Sequence, residues 1–248
     1  MAAQHFGGTV GGFIAGLPST SVLAIFFITH TEGARHGFDV AGIFPLAIAV
    51  NAVFLFAFAA LSRRSFAAGL SASLGIWVLF QSALLCIRPV PFGVVVALAG
   101  ALFLVSLLFV GRLDIPDPGA QPVRHGMGQI AVRAGAGGAV IALALMGSRL
   151  AGPIVGGILS AFPATVVATL GITHAYGGRE LTRAMVRPMM VSGVVNCMVF
   201  ALVYRQVVLH LPNLGAVASA CAVTLASAAC TFYWLNIHHR ECARAIHT

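Results

Sequence analysis

The sequence predicts an all-α, polytopic membrane protein of about eight transmembrane helices with an inverted-topology internal repeat. Three observations predict it. Hydrophobic residues make up 59% of the chain and charged residues only 8%, with a mean hydropathy of +0.98, whereas a soluble domain carries about 25% charged residues. Apolar stretches of span length, roughly 20 residues, recur along nearly the whole 248-residue chain. A segment near the N-terminus also returns later at a constant offset. The short alternating segments of a membrane barrel are missing.

Taken in order, the spans fall near 8–30, 40–61, 66–87, 91–111, 128–148, 151–173, 183–206 and 213–236. The first has no arginine before it and no secretory cleavage pattern after it, so it reads as a retained helix and not a signal peptide. Glu32-Gly33 to Asp39 separates the first two spans, Ser62-Arg63-Arg64 the next pair, and Arg88-Pro89-Val90-Pro91 the third from the fourth. The stretch 112–126, with Pro116, Pro118, Gly119 and Pro122, reads as a linker. It divides the chain into halves 1–111 and 127–248, each with about four spans, the second ending in a short tail.

Eight spans place both termini on one side of the membrane. That side collects ten arginines, among them Arg63, Arg64, Arg112, Arg179 and Arg183, against Arg35, Arg88, Arg149 and Arg205 on the other. Positive residues gather on the cytoplasmic side, so both termini are expected there, in a bacterial inner membrane. Arg133 and Arg187 fall inside helices and can snorkel to that surface. The net charge of +8 comes without a single lysine, and the arginines flank apolar stretches. This distribution points to a bilayer, not to nucleic acid.

The repeat organises the rest. Gly11-Gly12 … Leu17-Pro18-Ser19-Thr20 matches Gly156-Gly157 … Phe162-Pro163-Ala164-Thr165, and Val50-Asn51-Ala52 matches Val195-Asn196-Cys197, all at an offset of 145 residues. Both segments close on a Thr-His pair, Thr29-His30 and Thr173-His174. Spans 1–3 therefore correspond to spans 6–8. A shift of five is odd, so the second copy is expected to cross the membrane in the opposite sense, as in many secondary transporters.

Candidate site residues follow from this symmetry. A proline inside a helix deprives the carbonyl four residues back of its donor, here Ile14 or Leu159, and broken backbone in a membrane survives only inside protein or beside a wet cavity. Pro18-Ser19-Thr20 and Pro163-Ala164-Thr165 would then start new half-helices, whose free N–H groups suit anions. The competing reading is a packing kink. Asn51 and Asn196 lie mid-membrane, where an amide needs partners. They either contact a solute or cap the carbonyl freed at the break, and the second reading is preferred. His30 and His174 end helices on opposite faces, where they would gate or accept protons. The simpler reading, an imidazole at a helix C-terminus, is preferred.

Other features carry less. Glycine and other small residues recur four apart at Gly8, Gly12, Gly16 and at Gly152, Gly156, Ser160, Ala164, a pattern for close helix packing. Trp77 and Gln81 have no repeat partner and read as weak cavity candidates. None of the six acidic residues falls inside an expected span, which argues against a carboxylate-driven cation pump. The five cysteines form no CxxC pair, and His238-His239-Arg240-Glu241-Cys242 has no second cluster, so neither a disulfide framework nor a metal site is expected. No nucleotide, dinucleotide or hydrolase motif occurs. The chain is expected to be no enzyme and to need no cofactor.

Residues 127–236, with Ala161-Phe162-Pro163-Ala164-Thr165, Thr173-His174 and the Gly-rich lead helix 128–148, resemble the GlpM-like small bacterial inner-membrane proteins. The first half has Leu17-Pro18-Ser19-Thr20 and His30 but no lead helix, so the chain looks like a duplicated, permuted unit. The resemblance implies an inner-membrane location, a link to exopolysaccharide production and no catalytic residue.

The sequence thus reads as a permease for a small polar or anionic solute. Its site would be built from Pro18, Ser19, Thr20, Asn51, Pro163, Thr165 and Asn196, with gates at His30 and His174. The alternative is a non-transporting subunit that scaffolds an envelope biosynthesis or export complex. Both leave room for a homo-oligomer or an envelope partner beside the lipid.

Overall fold

The computed structural model describes residues 13–14, 17–86, 91–113, 115 and 127–246, with the backbone alone for 127, 129, 130, 132, 133 and 234–246. The glycine stripe at 8, 12 and 16, most of the 112–126 linker and the side chains of the His-rich tail lie outside the described residues. What is described is helical: α1 Ser19–Glu32, α2 Ala34–Leu61, α3 Phe66–Leu85, α4 Phe92–Gly111, α5 Met127–Ala151, α6 Pro153–Ser160, α7 Ala164–Ala184, α8 Val186–Val207 and α9 Asn213–Ile246. Among the described residues, seven stretches are long and apolar enough to cross a membrane, α6 and α7 counting as one. The fold is that of a multi-pass helical membrane protein.

α2 is the axis. It packs on α1, α3, α4, α6 and α8, and its buried face carries Phe44, Phe54, Leu55 and Phe58. From α8, Met189, Met190, Phe200 and Tyr204 meet that core. The outer helices turn apolar surface outward instead: Leu79 on α3, Leu108 on α4, Leu150 on α5 and Leu225 on α9 are exposed. That is the distribution expected where lipid replaces water as the solvent.

Small residues set the inner spacing. A Cβ on Gly156 of α6 would lie 2.7 Å from Ser148 of α5, and one on Gly157 would lie 3.0 Å from the Val40 carbonyl of α2. Both positions let backbones approach closely, as the small-residue stripe at 152–164 implies.

The connections are tighter than the sequence suggests. Gly33 alone turns the chain from α1 into α2, at φ 93° and ψ 165°. This corrects the expected loop at 32–39: Asp39 belongs to α2 and Glu32 is the last residue of α1. In the second copy the gap expected between 173 and 183 is also helical, interrupted only at Gly178 with φ 74° and ψ −175°. Such φ/ψ values belong essentially to glycine, so one residue suffices where polar composition implies seven or more. Gly33 and Gly178 stand 145 residues apart, in register with the prolines. The Thr-His pairs do not keep that register. They are one residue short of it, so His174 falls on Thr29 and not on His30.

Candidate functional site

α6 and α7 form one broken helix, and the break lies at Ala161-Phe162-Pro163. Pro163 caps α7 with φ −80° and ψ 45°; Pro18 caps α1 with φ −78° and ψ 33°. Proline alone does not cause the break, since Pro45 sits inside an unbroken α2. Backbone hydrogen bonds repeat as well. Leu17 N donates to Ile14 O as Phe162 N donates to Leu159 O; Ser19 N donates to Leu17 O as Ala164 N donates to Phe162 O. Val22 N reaches Pro18 O as Val167 N reaches Pro163 O. The carbonyls four residues before each proline, Ile14 and Leu159, are thus satisfied by tightened turns.

The remaining carbonyls of the second break are closed from the first copy. Ser21 Oγ donates to Ser160 O at 2.8 Å, and Asn51 Nδ2 donates to Ala161 O at 2.9 Å. Asn51 Oδ1 in turn accepts from Trp77 Nε1 at 2.7 Å, and Trp77 packs edge-on against Phe162. Reciprocally, Ser192 Oγ of α8 donates to Phe13 O at 2.6 Å. An unpaired polar group would cost several kcal/mol in this apolar setting, so each copy completes the backbone of the other.

Between the breaks lies a cavity of about 50 Å³, lined from both copies by Pro18, Thr20, Ser21, Asn51, Pro163 and Thr165, with Leu55, Phe162 and Met189 as apolar walls. Thr20 Oγ1 and Thr165 Oγ1 meet at 2.7 Å. The first N–H groups of a helix have no intrahelical acceptor. Those of α1 and α7 begin at this cavity, so two positive dipole ends face one small space.

The helices run away from it in opposite directions. A Cβ on Gly137 in mid-α5 would lie 3.9 Å from Thr20, and the other end of α1 meets Arg149 near the C-terminus of α5, with Glu32 3.7 Å away. α1 therefore runs parallel to α5. α6 packs antiparallel to α5, with Gly156 against Ser148 and Gly147 against Leu159. α1 ends at the α8–α9 corner, where Tyr204 donates to Thr29 Oγ1 at 2.6 Å and Asn213 Nδ2 to Phe26 O at 3.0 Å. α7 ends at the α2–α3 corner, where His174 stacks on Phe66 and Arg179 Nη1 donates to Arg64 O at 3.3 Å.

The other predicted residues fall as follows. Ser19 opens α1 but does not line the cavity. Asn196 is fully buried and also stands off it; its Nδ2 lies 3.4 Å from Ser192 Oγ and its Oδ1 has no partner. Residue 222, which matches Trp77, is alanine, so the indole donor that serves Asn51 has no counterpart. His30 is exposed and stacks over Phe26 at 6.0 Å, while His174 lies 4.1 Å from Phe66 with Nδ1 buried and unpartnered. The two histidines therefore have unlike settings. Trp77 and Gln81 do not line this cavity; they anchor α3 on α2, the latter through Nε2 to Ala47 O at 2.9 Å.

Sequence reasoning missed Ser21, whose hydroxyl closes Ser160, because its matched residue is Val166 and symmetry gives no signal. Among the described residues no group of three metal-ligating side chains occurs. No family model, no curated protein and no solved structure matches the chain.

Proposed function

We propose that the chain is a permease for a small anionic or polar solute, built as an inverted-topology repeat of two three-span units. The eighth span of this reading is the one expected at 8–30, of which α1 is the described part. The observation that carries this reading is the cavity between the starts of α1 and α7, spanned by the Thr20–Thr165 contact. Two helix N-termini favour negative charge there without any basic side chain. Hydroxyls and Asn51 supply polarity, and discontinuous helices at a repeat interface are a recurring transporter site.

The cavity size narrows the solute. About 50 Å³ holds a few water-sized groups, far less than the roughly 300–1,000 Å³ of sites for drug-sized ligands. A small inorganic anion or a compact carboxylate fits this state; a sugar or a lipid-linked precursor does not. The Arg63, Arg64, Arg179 and Arg183 face is assigned to the cytoplasm, together with both termini, in an inner membrane of the GlpM-like type.

One observation favours the second reading, a scaffolding subunit. Every carbonyl from 158 to 162 is satisfied by the protein itself, so that break offers no backbone oxygen to a solute. A thermal-shift panel of small anions on the purified protein separates the readings. An anion at a hundred times its dissociation constant adds about 2.7 kcal/mol, and Thr165→Val should abolish that gain while the protein stays folded. A panel with no stabilising anion, together with a co-purifying envelope protein, overturns the permease reading.

A further inference from the structure

The arginines at the two ends of the molecule have unlike surroundings. Where α1 meets α2, Arg35 pairs with Asp39 at 3.7 Å and Arg149 with Glu32 at 3.7 Å, while Arg205 donates to Phe38 O and lies over the Phe38 and Phe92 rings. At the other end the α2–α3 turn carries Arg63 and Arg64, and Arg179 follows the Gly178 interruption of α7. All three are exposed, and among the described residues no carboxylate pairs with any of them. Glu180, next to Arg179, is exposed and joins none of the described ion pairs. The first end has no equivalent cluster: Val208, Leu209 and Ala34 stand 145 residues from Arg63, Arg64 and Arg179.

The fold gathers these three side chains from distant parts of the chain. Three contacts lay the end of α7 along the α2–α3 turn. His174 stacks on Phe66 at 4.1 Å, Arg179 Nη1 donates to Arg64 O at 3.3 Å, and Arg183 Nε donates to Ala59 O at 3.1 Å. Arg183 is buried and committed to α2. Arg179 spends one N–H on Arg64 O, and a guanidinium has five. The 20-residue α3 also starts at this corner, with the Ser65 side chain accepting from Ala68 N. Its first N–H groups have no intrahelical acceptor, so a positive dipole end adds to the same place. The turn joins two spans, Ala34–Leu61 and Phe66–Leu85, and therefore lies at the level of the lipid head groups.

We propose that the phosphate of an anionic lipid head group binds at Arg63, Arg64 and Arg179 and ties the end of α7 to the α2–α3 turn. A guanidinium without a carboxylate presents a planar fork that matches phosphate oxygens, and basic pockets between spans are recurring head-group sites. The occupant is a lipid because the corner stands where two spans leave the bilayer and because an apolar face adjoins it. On α3, Ala68, Ala72 and Leu79 are exposed along one side, where an acyl chain can lie and a soluble anion gains nothing. One phosphate shared by Arg64 and Arg179 bridges the turn to the segment 179–184, across the Gly178 interruption of α7. Lipid composition thereby sets how firmly the far end of the second broken helix is held. The site stands whether or not the chain moves a solute.

Native mass spectrometry of the whole protein, freed of lipid in a neutral detergent, tests the site. Phosphatidylglycerol should bind at least about tenfold more tightly than phosphatidylcholine with the same acyl chains. Arg64→Gln combined with Arg179→Gln should remove that preference. Arg35→Gln combined with Arg149→Gln takes the same charge from the other end and should leave it in place. In nanodiscs, adding phosphatidylglycerol to phosphatidylcholine should raise the hydrogen-exchange protection of residues 176–184 and leave 31–39 unchanged. A wild-type protein with no preference for phosphatidylglycerol overturns the proposal, whether or not the variants fold. Equal losses in the two double variants also overturn it, because net charge alone then explains the binding. Displacement of phosphatidylglycerol by inorganic phosphate at matched concentration would mark a site for free phosphate and overturn the lipid assignment.

Discussion

Thr20 and Thr165 are held hydroxyl to hydroxyl at 2.7 Å, although 145 residues separate them in the chain. One hydroxyl donates and the other accepts, which leaves the acceptor's own O–H to donate elsewhere. Removing one leaves the other unmet in a mostly apolar cavity, at a cost of about 1–3 kcal/mol. Replacing both with the isosteric valine is expected to be nearly neutral. Thr20→Val and Thr165→Val should therefore each lower the unfolding temperature in detergent more than the double variant does. A double variant as unstable as the sum of the singles would show that the two hydroxyls do not pair. The double variant should nonetheless lose anion binding by at least about tenfold, or 1.4 kcal/mol, which separates fold from function.

Asn51 and Asn196 match in sequence but not in burden. Asn51 joins Ala161 O to Trp77 Nε1, so Asn51→Ala orphans both groups and should cost about 2–5 kcal/mol. Trp77→Phe should cost about 1–3 kcal/mol, because only Asn51 Oδ1 is left unmet. Asn196→Ala should cost the least, since its Oδ1 has no partner to lose and its Nδ2 contact is 3.4 Å long. Thermal unfolding of the three purified variants gives the order. Equal losses for the two asparagines would overturn the asymmetry. Asn51→Ala is consequently a poor probe of solute binding, because it removes a strut of the broken helix.

The glycine junctions make a cleaner test of backbone. Nothing lies within 4 Å of a Cβ built on Gly33 or Gly178, yet both have positive φ. Alanine at either position should cost about 1–3 kcal/mol through conformation alone. Gly138→Ala, also in open space but on the helical α5, should instead gain up to about 1 kcal/mol. Parallel melting curves decide. A destabilising Gly138→Ala, or a neutral Gly33→Ala, would mean that unseen contacts outweigh the dihedrals.

These junctions also show why part of the fold was legible and part was not. Pro18 and Pro163 announce the breaks because they recur at one place in the 145-residue repeat; the missing N–H alone does not, as Pro45 inside the unbroken α2 shows. Asn51 announces a need for partners because an amide in an apolar run is costly wherever it lies. A one-residue turn at Gly33 has no such mark: the polar letters from Glu32 to Asp39 read as a loop, while the helix in fact restarts at Ala34. The same shift moved Glu32 from an expected loop into a helix end packed against His36. Trp77 lacks a repeat partner, and its bond to Asn51 depends on how α3 lies on α2, which no local pattern encodes. Ser21 shares this property: it lines the cavity and reaches Ser160 O only because α1 starts beside the end of α6.

Opposite exits of α1 and α7 can be read from outside the cell. His30 is exposed at the end of α1, and Tyr176 is 61% exposed just before the Gly178 interruption of α7. α1 ends among Arg35, Arg149 and Arg205, and α7 among Arg64, Arg179 and Arg183. The second face also carries Arg63 and Arg112, and the orientation proposed above therefore puts it in the cytoplasm. In a background freed of the native cysteines, His30→Cys should react with an impermeant maleimide on intact cells. Tyr176→Cys should react only after the membrane is opened. Labelling of both from the same side would break the inverted relationship, since two half-helices that start together and run apart cannot end on one face. Labelling of both sites in the reverse sense would keep the inversion and reverse the assignment of the arginine-rich face.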